Sequence, residues 1–308
     1  LIKAPQFRFA FFHPKYWFTW LGIIILYLIS WLPYRLQLGL GRLIGRLLYL
    51  IAKRRRQIAK RNLELCFPKM PDDEQKQLLI KNFESTGIAL FESSMGWWWP
   101  SWRLKKFCHY EGLEHIEAAK AKGQGVLMVT IHMMCLEVGC RVFAQKYPSV
   151  AFYRPHNNDL MEYFQYHGRA RDNKYLIGAK NVKGLFSALA DNELCFYLPD
   201  QDYGRRRSVF VPFFAQPEAC TTTGTTLFAG QSNCSVLLVV PQRLAKGRGY
   251  KITVSPILED YPSGDDKADA ARLNRLIEEA VIQAPEQYLW LHRRFKTRPD
   301  RKAPSLYD

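Results

Sequence analysis

At 308 residues, with aromatics at 14% and charged residues at 23%, the chain has enough apolar material for a full core, which excludes disorder. Lysine and arginine exceed aspartate and glutamate by 44 to 28, and a formal charge of +16 points to anionic partners. Seven cysteines without a C-x-x-C pair or framework spacing exclude a disulfide scaffold and suit free thiols in a reducing compartment.

The basic excess sits at one end. Residues 1–63 hold twelve Lys or Arg and no acid; Glu64 is the first. Within this segment residues 16–33 run eighteen positions without a charge, about 27 Å as a helix and just enough for a bilayer core. Trp and Tyr cluster at both ends, as at membrane interfaces. The expectation is an N-terminal membrane anchor over residues 1–34, built on one transmembrane helix. A buried or in-plane helix is the alternative, because the run is short. Three basic residues precede it and nine follow within thirty positions, so the positive-inside bias places the bulk of the chain in the cytoplasm. Over residues 35–62, Leu40, Leu43, Ile44, Leu47, Leu48 and Ile51 repeat at helical spacing, with Arg35, Arg42, Arg46 and Lys53 off that stripe. This reads as a basic amphipathic helix lying on anionic lipid. Beside an apolar anchor, Arg54-Arg-Arg56 argues for lipid rather than nucleic acid, and no nucleic-acid partner is expected.

Residues 63–308 read as a separate domain. Asp72 suits the start of a helix reaching about Glu92, and Trp97-Trp-Trp-Pro-Ser-Trp102 serves either core packing or an acyl-chain lining. A helix over residues 113–122 precedes a strand at 126–131. Further strands are expected at 150–154, 194–198, 209–213, 235–240 and 250–254, with helical segments between several of them. The alternation predicts an α/β fold with a central, largely parallel or mixed sheet flanked by helices. There is no P-loop, G-x-G-x-x-G or G-x-S-x-G elbow, and no metal or cofactor is expected.

One stretch concentrates the chemistry. Six apolar or β-branched residues lead into His132, and Glu137 follows five positions later. Five helical positions turn through roughly 500°, so the two do not share a face of one helix. His132 must sit on the strand-to-helix turn if Glu137 is to reach it. An imidazole there stands at the carboxyl end of a strand, where open α/β sheets place their chemistry. The spacing alone is weak: His109 with Glu114 and His167 with Asp172 repeat it. Only His132 follows a strand-like run. Two other expected strands end in Arg154 and Asp200. Together the three ends would supply a base, an anion binder and an orienting carboxylate to one cleft. Arg154 and Asn157 offer a phosphate fork, Arg169 adds charge, and Asp200 and Asp202 sit in the turn Pro199-Asp-Gln-Asp-Tyr-Gly204. Cys135 and Cys140 lie close by, but a thiol nucleophile would need a base of its own.

These residues resemble the bacterial lipid A late (secondary) acyltransferases of the lauroyl/myristoyl type, within the larger lysophospholipid and glycerolipid acyltransferase group. The resemblance rests on Arg61-Asn-Leu-Glu-Leu-Cys-Phe-Pro68, Glu111-Gly-Leu-Glu114, His132-x4-Glu137, Tyr153-Arg-Pro155, the Pro199–Gly204 turn, Phe210-Val-Pro-Phe-Phe214 and Pro285-Glu-Gln-Tyr-Leu-Trp-Leu-His-Arg-Arg-Phe-Lys296. It leans slightly toward the myristoyl type. It implies a glycerolipid acyltransferase-like fold at the bacterial inner membrane. It also implies transfer of a fatty acyl group from acyl carrier protein to a 3-hydroxyacyl hydroxyl of a lipid A precursor. By analogy His132 is the general base and Glu137 orients it, while Asp200 has a supporting role. Arg154 is the candidate for the sugar phosphate or the oxyanion. Arg205-Arg-Arg207 and the basic run after His292 are candidate docking sites for acyl carrier protein, and Trp97 to Trp99 or Phe213 with Phe214 candidate linings for the acyl chain. Two other readings fit: acylation of glycerol 3-phosphate or a lysophospholipid, and a non-catalytic membrane protein that captures lipid.

Overall fold

The computed structural model describes residues 2–308. Short 3-10 turns lead into four helices, α1 (Trp17–Ser30), α2 (Tyr34–Ile51), α3 (Lys53–Cys66) and α4 (Asp72–Trp98), followed by the short α5 (Ser101–Lys105). The α/β body then alternates β1 (Cys108–Glu111), α6 (Leu113–Ala121), β2 (Val126–Val129), α7 (Leu136–Ala144), β3 (Val150–Tyr153), α8 (Asp159–Ala170), β4 (Tyr175–Gly178), α9 (Val182–Ala190) and β5 (Leu194–Tyr197). A hairpin of β6 (Ser208–Phe213) and β7 (Gln216–Thr222) precedes α10 (Gly224–Ser232), β8 (Ser235–Arg243), β9 (Tyr250–Val254) and α11 (Asp266–Ile282).

Seven strands form one sheet in the order β1-β9-β8-β2-β5-β3-β4, while β6 and β7 form a separate antiparallel pair. All neighbours in the large sheet are parallel except β8 with β9, so the expected mixed α/β sheet is present. Strand β2 at its centre is buried on both faces and therefore reads as an unbroken Val-Leu-Met-Val run. Its neighbour β5 lies parallel to it and β3, beyond β5, lies parallel in turn, so the carboxyl ends of the three strands share one edge. That edge carries the site.

The expected transmembrane helix is not formed. No helix among the described residues is long and apolar enough to cross a membrane. Helix α1 has 14 residues, about 21 Å, against a hydrocarbon core of roughly 30 Å. Two physical features shorten it. Its end is stapled to the body: the Ser30 carbonyl accepts hydrogen bonds from Gln37 Nε2 at 2.9 Å and from Trp99 Nε1 at 2.5 Å, and Arg103 reaches the Leu32 carbonyl at 2.7 Å. Pro33 then caps α2 and turns the chain. Its beginning is fixed as well, since Phe11, Tyr16 and Ile23 pack on Leu160 of α8. The expectation of an inner-membrane protein held by a single N-terminal span, with its domain facing the cytoplasm, falls with that helix.

The basic helix expected over residues 35–62 is two helices, broken at Ala52 (φ −84°, ψ 57°). Helix α2 is also packed on one side. Gly41 and Gly45 meet Gly87 of α4 so closely that a Cβ on Gly45 would stand 2.2 Å from the Phe83 carbonyl oxygen. The opposite side exposes Leu36, Leu43, Leu47, Leu50 and Ile51.

Candidate active site

The chain leaves β2 at Val129 and runs through an irregular turn before α7 begins at Leu136. His132 lies on that turn, as the spacing requires. Strand β5 lies next to β2 and delivers Asp200 to the same edge. The Asp200 carboxylate takes both nitrogens that His132 presents to it. Oδ1 stands 2.7 Å from the ring Nδ1, and Oδ2 accepts the backbone N–H at 2.8 Å. Asp200 is buried, while the imidazole keeps 23% of its surface exposed. Burial pushes the Asp200 carboxyl up, but the charge of His132 and its two hydrogen bonds outweigh burial and hold the carboxyl below its ordinary range. With Nδ1 occupied, Nε2 is the ring nitrogen left to accept a proton.

Glu137 has a different partner. In the first turn of α7, its carboxylate receives Arg169 Nε at 3.0 and 3.1 Å on its two oxygens, and Arg169 Nη2 also bonds Oε1. Trp97 Nε1 donates to it at 3.4 Å. Burial pushes this carboxyl up, while the Arg169 charge and these hydrogen bonds bring it below its ordinary range. The same pair raises the Arg169 guanidinium, against burial. The structure thus pairs His132 with Asp200 and Glu137 with Arg169. The reason is topological: α7 starts four residues after His132, so Glu137 projects toward α8, while Asp200 sits on the adjacent strand end.

His132, Glu137, Arg154 and Arg169 all line one cavity of about 590 Å³. Its remaining wall is largely apolar, with Leu136, Ala151, Phe152, Val182, Phe196 and Phe228 among the lining residues. Arg154 lies exposed just beyond the end of β3. Cys140 also lines the cavity, but burial and the nearby Glu137 charge push its thiol up to about 12, so it is no nucleophile near neutrality. Asn157 is exposed and is not among the cavity's lining residues. Asp202 faces the C-terminal segment, where its carboxylate accepts Thr297 N–H at 2.8 Å and Thr297 Oγ1 at 2.9 Å. Of the aromatic run, Trp97 lines the cavity, Trp99 is buried and Trp102 is exposed.

A family model described as bacterial lipid A biosynthesis acyltransferase matches residues 4–297. The lipid A biosynthesis lauroyltransferase of Escherichia coli is 44% identical over 307 residues, covering 100% of both chains. The lipid A biosynthesis palmitoleoyltransferase of the same organism is 45% identical, covering 96% of this chain and 97% of that one. The chain belongs to the bacterial lipid A biosynthesis acyltransferases. It is therefore an enzyme of the acyltransferase class. The lipid A biosynthesis myristoyltransferase of E. coli is 27% identical, covering 96% of this chain and 91% of that one.

Several motifs that mark this lipid A acyltransferase have uses that sequence reasoning missed. Arg294 is not a docking residue: it is buried, giving Nη1 to the Cys220 carbonyl at 2.7 Å and Nη2 to Thr221 Oγ1 at 3.1 Å. Arg205 is committed to the Pro299 carbonyl at 2.8 Å and to that of Arg298. Arg206, Arg207 and Lys296 remain exposed. Phe213 is fully buried against Tyr288 and Phe295, away from the cavity lining. Asn62, within Arg61-Asn-Leu-Glu-Leu-Cys-Phe-Pro68, donates to the carbonyls of Trp290 at 2.6 Å and His292 at 2.7 Å. The signal for Asp200 was present in the sequence, since it follows a buried strand as His132 does.

Proposed function

We propose that this enzyme moves a fatty acyl group from the thioester of acyl carrier protein to the hydroxyl of a 3-hydroxyacyl chain on a lipid A precursor. The observation that carries the reading is a His132–Asp200 pair beside a largely apolar cavity. Asp200 holds Nδ1–H, fixes the tautomer and stabilises the imidazolium that forms. Nε2 of His132 takes the acceptor hydroxyl's proton as its oxygen attacks the thioester carbonyl. The new C–O bond forms, the C–S bond breaks on collapse of the tetrahedral intermediate, and the imidazolium returns its proton to the leaving thiolate. No acyl-enzyme is required. Leu136, Phe152, Val182, Phe196 and Phe228 hold the acyl chain, each buried methylene contributing about 0.8 kcal/mol. Glu137 acts through Arg169, fixing a charged wall of the cavity, and Arg154 meets an anionic group of the acceptor at its mouth. The greater identity to lauroyl- and palmitoleoyltransferases favours those donors over myristoyl.

The basic surface suits two further anionic contacts. Exposed Arg206, Arg207 and Lys296 are candidates for acyl carrier protein. The exposed apolar faces of α1 and α2 rest on a lipid surface without crossing it.

Transfer of labelled acyl groups from acyl carrier protein to a purified lipid A precursor tests the reading, with a lysophospholipid as competing acceptor. His132→Ala and Asp200→Asn are each expected to lower turnover on the order of 10²- to 10⁴-fold. Glu137→Gln, which keeps its shape, should cost less than Asp200→Asn. Full turnover in His132→Ala would sink the mechanism. Acylation of the lysophospholipid alone would sink the acceptor. Equal losses in Glu137→Gln and Asp200→Asn would return the orienting role to Glu137.

A further inference from the structure

His132 stands outside any regular element, and the turn that carries it cannot fix it alone. What brackets it is a distant segment, residues 285–292. The Leu289 N–H donates to the His132 carbonyl at 3.0 Å, and the Met134 N–H donates to the Gln287 carbonyl at 2.6 Å. Between these bonds Met133 and Tyr288 form an isolated antiparallel bridge. The segment itself belongs to no sheet, so its own carbonyls need other donors. Two buried asparagines supply them. Asn82 of α4 donates to the carbonyls of Glu286 at 3.0 Å and Tyr288 at 2.7 Å, and Asn62 of α3 holds Trp290 and His292.

Two side chains of this segment reach further. Gln287, 4% exposed, accepts the Arg243 N–H on Oε1 at 2.8 Å and returns a hydrogen bond from Nε2 to the Arg243 carbonyl at 2.9 Å. That reciprocal exchange copies one hydrogen-bonded pair of an antiparallel ladder. It registers the segment to the last residue of β8, the strand beside β2. Tyr288, 3% exposed, donates its hydroxyl to the Asp200 carbonyl at 3.2 Å. One segment therefore touches the backbone of both members of the pair.

We infer that Gln287 and Tyr288 are positioning residues that set the His132–Asp200 geometry from outside the two strands that carry it. The inference rests on the reading of His132 as general base. A catalytic pair needs its groups held to about 0.5 Å, and the bonds to Arg243, His132, Met134 and Asp200 supply that constraint. It also gives the Pro285–Lys296 motif a use.

The experiment compares Tyr288→Phe, which keeps the ring and loses the hydroxyl, with Gln287→Glu, which keeps the shape and loses the donor. Asn274→Leu is the control: Asn274 is a buried amide that bonds the Pro212 carbonyl at 2.7 Å, away from the pair. Three quantities are read: the exchange-protected imidazole N–H proton of His132 by NMR, assigned through His132→Ala; kcat and KM for both substrates; and the melting temperature. In Tyr288→Phe and Gln287→Glu the proton should move upfield or broaden, and kcat should fall on the order of 10- to 100-fold with KM little changed. Asn274→Leu should lower the melting temperature while leaving the proton and kcat in place. An unmoved proton with unchanged kcat in both variants would overturn the inference, and so would losses that follow melting temperature alike in all three. If His132→Ala keeps full turnover, the base reading fails, and the proton alone then decides whether the segment positions the pair.

Discussion

His292 illustrates how a single ring carries a pH dependence into the fold. Burial first, then the charges of Lys296 and His132, push its imidazole down from 6.5 to about 4. No hydrogen-bond partner among the described residues meets its Nε2. In the unfolded chain the ring protonates near 6.5, while in the folded chain it stays neutral to about pH 4. Between those values the unfolded state holds more protons, so folding stability falls as pH drops from 6.5 and the loss is complete near 4. Because the ring is only about half buried, solvent screening keeps the full loss to on the order of 1 kcal/mol. His292→Gln should remove that slope: in urea unfolding at about pH 7.5 and pH 4.5, the wild type should lose more stability than the variant. Parallel losses would show that the ring does not carry the effect. At the same scale, His132 was legible because a buried strand runs into it. Its partner was not legible from spacing, since five residues along a chain say nothing about which neighbouring strand end faces the ring. That information lives in strand order, which puts β5 beside β2.

At the scale of elements, the crossing of α2 and α4 is the sharpest packing constraint outside the sheet. A Cβ on Gly87 would stand 2.1 Å from the Gly41 carbonyl oxygen, and one on Gly45 2.2 Å from that of Phe83. The obstacle in each case is backbone, which cannot rotate away. Gly45→Ala and Gly87→Ala should each destabilise by roughly 3 kcal/mol, the upper part of the overpacking range. Gly39, on the same helix with nothing within 4 Å, is the internal control, and Gly39→Ala should stabilise by about 0.5–1 kcal/mol. Opposite signs in thermal melts would confirm the crossing, and stabilisation by Gly45→Ala would refute it. The sequence showed the apolar period of α2 but gave no hint of which face α4 takes. Leu43 and Leu47 lie on the expected stripe and are exposed, whereas Gly41 and Gly45 are buried. Small residues mark close approach, and hydropathy does not register them. The sheet was easier. Five of its seven strands, and β6 of the hairpin, were expected, since buried β-branched runs stand out, but the short β1 and β4 and the polar β7 carry no such signal.

For the whole molecule the question is what meets the apolar residues that the fold leaves outside. Phe18 is 88% exposed and Leu28 62%, and on α2 Leu36, Leu43, Leu47 and Leu50 fall within one arc of the helix. Arg35 and Arg42 flank that arc, and no acid precedes Glu64. Apolar residues beside cations match a surface with hydrocarbon beneath and phosphate above. An acceptor of the lipid A class is itself such a molecule, so a chain that rests on lipid meets its substrate in the same plane. If this reading is right, the purified protein should float with anionic vesicles, and binding should weaken as salt rises. Leu43→Ser with Leu47→Ser should lower partitioning by about tenfold or more, since each partly exposed leucine contributes on the order of 1 kcal/mol. Arg35→Gln with Arg42→Gln should cost a similar amount at low salt and little at high salt, each charge being worth about 1 kcal/mol near an anionic surface. Turnover with lipid acceptor in vesicles should fall with partitioning, while turnover with detergent-dispersed acceptor should hold, because neither pair touches the cavity. Equal binding by wild type and both pairs would refute a lipid contact through α2.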